Sequence, residues 1–160
     1  MKITTWNINS VRLRLPLVLD KLAELDTDVL CLQETKTQDD YFPTKAIAEA
    51  GWPHIAIRGE KSYNGVAILS RQPLTDIGHC DWTGRTDTRH ISACVGGLTI
   101  HNFYVPAGGD VPDRDKNPKF GHKLDFIAEM TDHFSAQPPQ RAVLVGDLNI
   151  APLAEDVWST

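Results

Sequence analysis

Short apolar runs that stop abruptly at polar residues recur along this chain. Ala142–Val145 is one, with two β-branched valines, broken by Gly146 and followed by Asp147 and Asn149. Such a run reads as a buried strand. Alternate side chains of an extended segment point the same way, so Asp147 and Asn149 present a carboxylate and a carboxamide together at its end. Gly, Asp and Asn also build turns, and Pro152 closes this loop. Three earlier strands end in similar residues. Lys2–Ile8 is a first strand ending at Asn7, Asp28–Glu34 delivers Glu34, and Leu98–Tyr104 ends in Tyr104.

Other periodicities fill the intervals. Leu15, Val18, Leu19, Leu22 and Leu25 recur at helical spacing and predict a helix to about Asp26, with Pro16 tolerated in its first turn. A short helix over Thr44–Ala50 stops at Gly51, and Trp52–Arg58 and Gly65–Ser70 read as strands. Pro73–Asp87 has no regular pattern and reads as a surface excursion. Arg89–Val95 and Leu98–Tyr104 flank Gly96-Gly97, a hairpin signal. A loop to Lys119, a helix marked by Leu124, Ile127, Ala128, Met130 and Phe134, the strand to Asp147 and one helical turn from Pro152 complete the chain. Trp158-Ser159-Thr160 carries neither a cap nor a polar tail and reads as an abrupt end. The βα alternation is lost between Trp52 and Tyr104, so a mixed α/β layered fold fits better than a regular doubly wound one.

Composition changes this picture little. The 160 residues, 41% apolar and 23% charged, suit one globular domain. A net charge of −5 argues against a generic polyanion-coating protein, although Lys36, Arg58, Lys61, Arg71, Arg85 and Arg89 all fall in or beside proposed loops. Neither a signal-peptide core nor a membrane-length apolar run is present, so no membrane partner is expected. Cys31, Cys80 and Cys94 fit no close-spaced metal or redox motif, which makes a reducing cytoplasm the expected location.

The strand ends carry the candidate chemistry. Glu34 and Asp147 are hard oxygen ligands, and Asn7 and Asn149 offer amide oxygens, a set suited to Mg²⁺ or Mn²⁺ and unlike the His and Cys that Zn²⁺ favours. The six histidines show no metal-ligand spacing. A Gly-x-Ser-x-Gly elbow and a Lys-Ser/Thr phosphate loop are both missing. A lone acidic strand end is ordinarily a solvated cap, but several in one chain point to a shared site.

Five ordered motifs give a resemblance over essentially the whole chain. Trp6-Asn7-Ile8-Asn9-Ser10-Val11-Arg12, Leu32-Gln33-Glu34-Thr35-Lys36, Tyr63-Asn64-Gly65-Val66-Ala67, Tyr104-Val105-Pro106 and Gly146-Asp147-Leu148-Asn149 resemble the exonuclease III family. These are DNA-repair apurinic/apyrimidinic endonucleases of the endonuclease/exonuclease/phosphatase superfamily. The resemblance implies a four-layered α/β sandwich and a metal-dependent phosphodiesterase acting on double-stranded and abasic-site DNA, monomeric at full length. It also implies roles. Glu34 is the principal Mg²⁺ ligand with Asn7 beside it. Tyr104 contacts the scissile phosphate, Asp147 activates water, and Asn149 orients the phosphate. Arg12, Tyr63 and Arg89 contact DNA. Two departures stand out: Thr88 replaces the glycine of a Gly-Arg-x-Ile motif, and Ala107 stands where some relatives place a phosphate-contacting Asn.

Family members continue beyond residue 160 into a half that carries another active-site Asp and a closing Asp-His pair. This chain therefore reads as the N-terminal half of one domain, supplying about one sheet and its helices. Its near-continuous apolar strands would then leave one sheet face uncovered. The segment alone is expected to be marginally stable, to aggregate or dimerise, and to be inactive. Two rival functions remain: a phosphodiesterase for phospholipid or inositol phosphate, disfavoured by Tyr63-Asn64-Gly65, and a non-catalytic binding module. Steeply salt-dependent binding to abasic duplex separates the first, and a metal-dependent nuclease assay the second.

Overall fold

In the computed structural model, residues 1–156 are described; Trp158–Thr160, read above as an abrupt end, lie outside them. Among the described residues the α-helices and strands run in the order β1 (Ile3–Asn7), α1 (Leu15–Glu24), β2 (Val29–Gln33), α2 (Thr44–Glu49), β3 (His54–Arg58), β4 (Val66–Ser70), β5 (Thr75–Gly78), β6 (His90–Val95), β7 (Leu98–Tyr104), α3 (Pro118–Ala136) and β8 (Ala142–Asp147). The strands form two sheets, ordered β1-β2-β4-β3 and β5-β6-β7-β8. In the first, β1 and β2 are parallel, and in the second β7 and β8 are parallel. The other pairings are antiparallel.

Period-two side-chain alternation sorts the strands into layers. Leu30 and Leu32 of β2 and Ala67 and Leu69 of β4 face outward onto Val18 and Leu22 of α1 and Ile47 of α2. The intervening Val29, Cys31, Val66 and Ile68 face the second sheet, where they meet Ile91, Ala93, Val95 and Ile100. On that sheet's far side Phe103 packs with Trp82 and Phe126 of α3. The layers are helix, sheet, sheet, helix.

This corrects the expectation that the chain supplies about one sheet. It builds four strands of each, and the face expected to lie bare is covered by its own second sheet. A buried run looks the same in sequence whether a helix or a sheet covers it, so the apolar pattern does not divide the strands between the sheets. β1 and β8 lie at the ends of their sheets' strand order, and Leu144 of β8 is 41% exposed.

Two elements depart from their expected bounds. β5 lies within the stretch read as irregular; it is mostly exposed and pairs with β6 through a shifted register. α3 begins at Pro118, six residues before Leu124, where Asn117 accepts a hydrogen bond from the Lys119 amide at 3.1 Å. Its first buried positions are Gly121, His122 and Lys123, which no hydrophobic pattern detects.

A buried polar bridge joins the sheets. Gln33 Nε2 donates to Asn102 Oδ1 at 2.7 Å, and Asn102 Nδ2 donates to the Leu32 and Ala67 carbonyls, each at 2.9 Å. Gln33 precedes Glu34, and Asn102 lies two residues before Tyr104, so the bridge sits directly beneath the strand ends.

Beneath α3 lies a stack of rings. His90 stacks on Phe103 with centroids 4.5 Å apart, and its Nδ1 accepts from the Cys80 amide at 2.9 Å. Its Nε2–H therefore donates to His101 Nδ1, at 3.1 Å. Burial, followed by His101, Arg58, His133 and His79, pushes the His90 pKa down to about 3. Since the folded state refuses a proton that the unfolded chain takes up near pH 6.5, stability is full above that pH and falls as pH drops towards about 3. Each unit of acidification in that window costs about 1.4 kcal/mol from this residue. Urea unfolding at pH 7.5 and 5.5 should register the loss, and His90→Gln, which keeps an acceptor for Cys80, should reduce it, leaving the part due to His101 and His122. An equal pH slope in the variant would remove His90 as the cause.

Candidate active site

The two parallel pairs bring four strand ends to one side of the sandwich. Asn7 is opposite Gln33 in the first sheet, and Tyr104 is opposite Asp147 in the second. Such carboxyl ends are where open α/β sheets place ligands. Asn7 Nδ2 spans the gap, donating to Glu34 Oε1 at 2.8 Å and Asp147 Oδ2 at 2.7 Å. Two carboxylates from different sheets thus converge on one amide. The Asn7 carbonyl oxygen accepts from the Asn9 amide at 3.1 Å, so this side chain holds the carboxylates together.

Glu34 also receives Lys36 Nζ at 2.7 Å and the Tyr104 hydroxyl. Burial raises its pKa, but the hydrogen bonds from Asn7, Lys36 and Tyr104 outweigh it and the net shift is downward. Burial first, then the bond to Glu34, pushes Tyr104 up to about 12, so its hydroxyl keeps its proton at working pH. Asp147 Oδ1 accepts the Asn149 amide at 2.9 Å. The Asn149 side chain turns to the Val105 carbonyl, 2.8 Å from its Nδ2, while Lys123 Nζ binds the Asn149 and Pro106 carbonyls.

Left-handed backbone marks the rim, with φ of +53° at Glu34 and +50° at both Thr88 and Asn149. Non-glycine residues adopt this region rarely, and such strain gathers at functional sites. At the first sequence departure, Thr88 takes the left-handed conformation that glycine adopts freely, and the adjacent Arg89 lies against Tyr104. The Arg89 guanidinium lies 4.8 Å from that ring's centroid and bonds Asp87 at 2.7 Å. Gly146 has no such freedom to change. A Cβ there would stand 2.0 Å from the Phe103 carbonyl oxygen.

Asn7, Glu34, Tyr104, Asp147 and Asn149 are therefore brought together, with Arg89 against Tyr104. Tyr63, 71% exposed, lines a cavity of about 550 Å³ with Arg89, Tyr104 and Ala107. That cavity opens beside Tyr104, and neither Glu34 nor Asp147 lines it. Arg12 stands apart, in a groove of about 300 Å³ with Lys36, Tyr41 and Lys61. Sequence reading assigned no part to Arg85, Asp87, His122 or Lys123.

Among the described residues no group of three or more His, Cys, Asp or Glu could hold a metal ion. The Glu34–Asp147 pair is nonetheless the right kind of donor set for Mg²⁺, which takes one or two carboxylates and completes its shell with water and substrate phosphate. Asn7 directs its NH₂ group at the carboxylates while its side-chain oxygen accepts from Asn9, so the two carboxylates are stronger candidates than Asn7; Asn149, with its NH₂ on Val105, has no donor to its side-chain oxygen among the described residues.

The fold and the site define a class: a layered α/β sandwich with acidic side chains gathered across the gap between its sheets. The Endonuclease/Exonuclease/phosphatase family model matches residues 4–160, and the chain belongs to that family. It is similar to Exodeoxyribonuclease III of Haemophilus influenzae, 30% identical over 98% of this chain and 60% of the relative. Among solved structures it is similar to an AP endonuclease from Archaeoglobus fulgidus, with TM-score 0.89 and 34% identity over 99% of this chain and 61% of the other. It is also similar to the 3′ phosphatase NExo from Neisseria bound to a product DNA hairpin, with TM-score 0.86 and 39% identity over 96% and 59%. The chain spans about 60% of the length of these relatives.

Proposed function

We propose that this chain is the N-terminal part of a single-domain DNA-repair phosphodiesterase. It would shorten duplex DNA from 3′ ends and incise beside abasic sites. The observation that supports this most is the meeting of Glu34 and Asp147 at Asn7, with Tyr104 between them and a cationic cavity. Relatives named for exonuclease and AP-endonuclease activity support the substrate class. Glu34 and Asp147 would hold Mg²⁺ or Mn²⁺, which when bound offsets negative charge on phosphate oxygens.

The chain's own side chains do the rest. Asp147 accepts the proton of the attacking water. Tyr104, protonated throughout the working range, would turn its one O–H from Glu34 to a phosphate oxygen. Asn149 orients the phosphate, and Arg12, Tyr63 and Arg89 bind the strand. Asn7 fixes the separation of the carboxylates. The full-length protein is read as a cytoplasmic monomer, where the free thiols of Cys31, Cys80 and Cys94 would persist.

The test is a cleavage assay of the full-length protein on abasic and 3′-recessed duplexes with Mg²⁺, Mn²⁺ or chelator. Incision and 3′ shortening that chelation abolishes are expected, with residues 1–160 alone inactive. Cleavage that survives chelation, or none with either metal, overturns the reading.

A further inference from the structure

The cavity beside Tyr104 carries a group of side chains that the reaction above does not use. Arg85 lies at its edge, exposed, and makes no ion pair among the described residues. Its Nη1 lies 3.4 Å from Nδ1 of His122, the only hydrogen-bond partner of that guanidinium among the described residues. His122 projects from the first turns of α3, is about nine-tenths buried, and its Nε2 has no hydrogen-bond partner. That nitrogen stands 3.9 Å from Asp87 Oδ2.

These contacts fix the roles of the ring. Nδ1 accepts from the guanidinium, so the proton resides on Nε2 and faces Asp87. Burial, and then Arg85, lower the His122 pKa, which keeps the ring neutral and able to accept. Asp87 is already paired with Arg89 at 2.7 Å, so it leaves Arg85 uncompensated. Lys119 lines the same cavity, exposed and likewise without an ion pair among the described residues. Two unpaired cations thus border one concave surface next to a tyrosine aimed at the strand ends. A guanidinium held from behind by a neutral acceptor keeps its other N–H groups directed outward, the geometry that suits a phosphate.

We infer that Arg85, held by His122, forms a subsite for a second phosphate of the nucleic-acid strand, apart from the one at the carboxylate pair. The inference rests on the function proposed above and adds a contact to it. Arg85 binds that phosphate and His122 is a positioning residue. The phosphate is either an internal diester or a terminal monoester, since both present the same oxygens to the guanidinium.

Kinetics of the full-length protein on duplex DNA over a salt series test this. Arg85→Ala should raise KM about tenfold with kcat changed far less, and should lower the salt slope of binding by about one. Arg85→Lys should recover part of the affinity, because the charge survives and the fork does not. His122→Gln, which keeps an acceptor, should lie close to the parent. His122→Ala should weaken binding, and should add nothing in an Arg85→Ala background. Arg141→Ala, at the opposite end of β8, serves as the control. Substrates differing only in a terminal phosphate then separate the two sources. A penalty on both identifies an internal diester; a penalty confined to phosphorylated ends identifies a monoester. If the parent cleaves DNA and Arg85→Ala keeps its KM and salt slope, the subsite falls and the proposed function stands. A parent that neither binds nor cleaves DNA overturns both.

Discussion

Asp147→Asn should lower kcat by about two to four orders of magnitude, the range for losing a general base. The substitution keeps the shape of the side chain. In the folded protein the two oxygens of Asp147 accept from Asn7 and from the Asn149 amide, so an asparagine oxygen can still satisfy one of those donors. What it cannot do is take a proton from water. KM should move little, because the cavity side chains that face the strand are untouched. Single-turnover cleavage at saturating Mg²⁺, beside a thermal melt, separates the chemical loss from weaker metal binding and from any loss of fold. Wild-type turnover in this variant would take Asp147 out of its role.

The second large effect is expected at Glu34. Its carboxylate is the hub to which Asn7, Lys36 and Tyr104 all donate. Glu34→Gln removes the charge that a divalent cation would meet and places an NH₂ group among donors. Mg²⁺ binding should weaken by about a hundredfold or more, since even indirect supports of a metal site are worth ten- to hundredfold. Cleavage should nearly vanish while DNA binding is largely kept. Calorimetric Mg²⁺ titration of both proteins reads this directly, and an unchanged affinity would exclude Glu34 from the metal site.

Much of this arrangement is legible in sequence because strand ends are marked by chemistry. Asn7, Glu34, Tyr104 and Asp147 each follow an apolar or β-branched run, and alternation fixes which side chains point together. What escaped is what periodicity does not encode. β5 is an exposed edge strand with no apolar face to announce it. α3 hides its first turns because His122 and Lys123 are buried although polar, held there by Arg85 and by the Asn149 carbonyl. The assignment of strands to two sheets was invisible because covering a strand with a helix or with another sheet calls for the same residues.

The polar bridge between Gln33 and Asn102 has a consequence for how the site can fail. Glu34 belongs to one sheet and Asp147 to the other, so their separation is the spacing of the sandwich, and the bridge acts as the pin of a calliper set at that spacing. Without it the Leu32 and Ala67 carbonyls lose the Asn102 donor, and each such hydrogen bond is worth about 0.5–1.5 kcal/mol. The jaws can then drift while each sheet stays intact. Turnover in such a molecule reports the docking of the sheets, whereas a spectroscopic signal of β-structure reports only the sheets themselves.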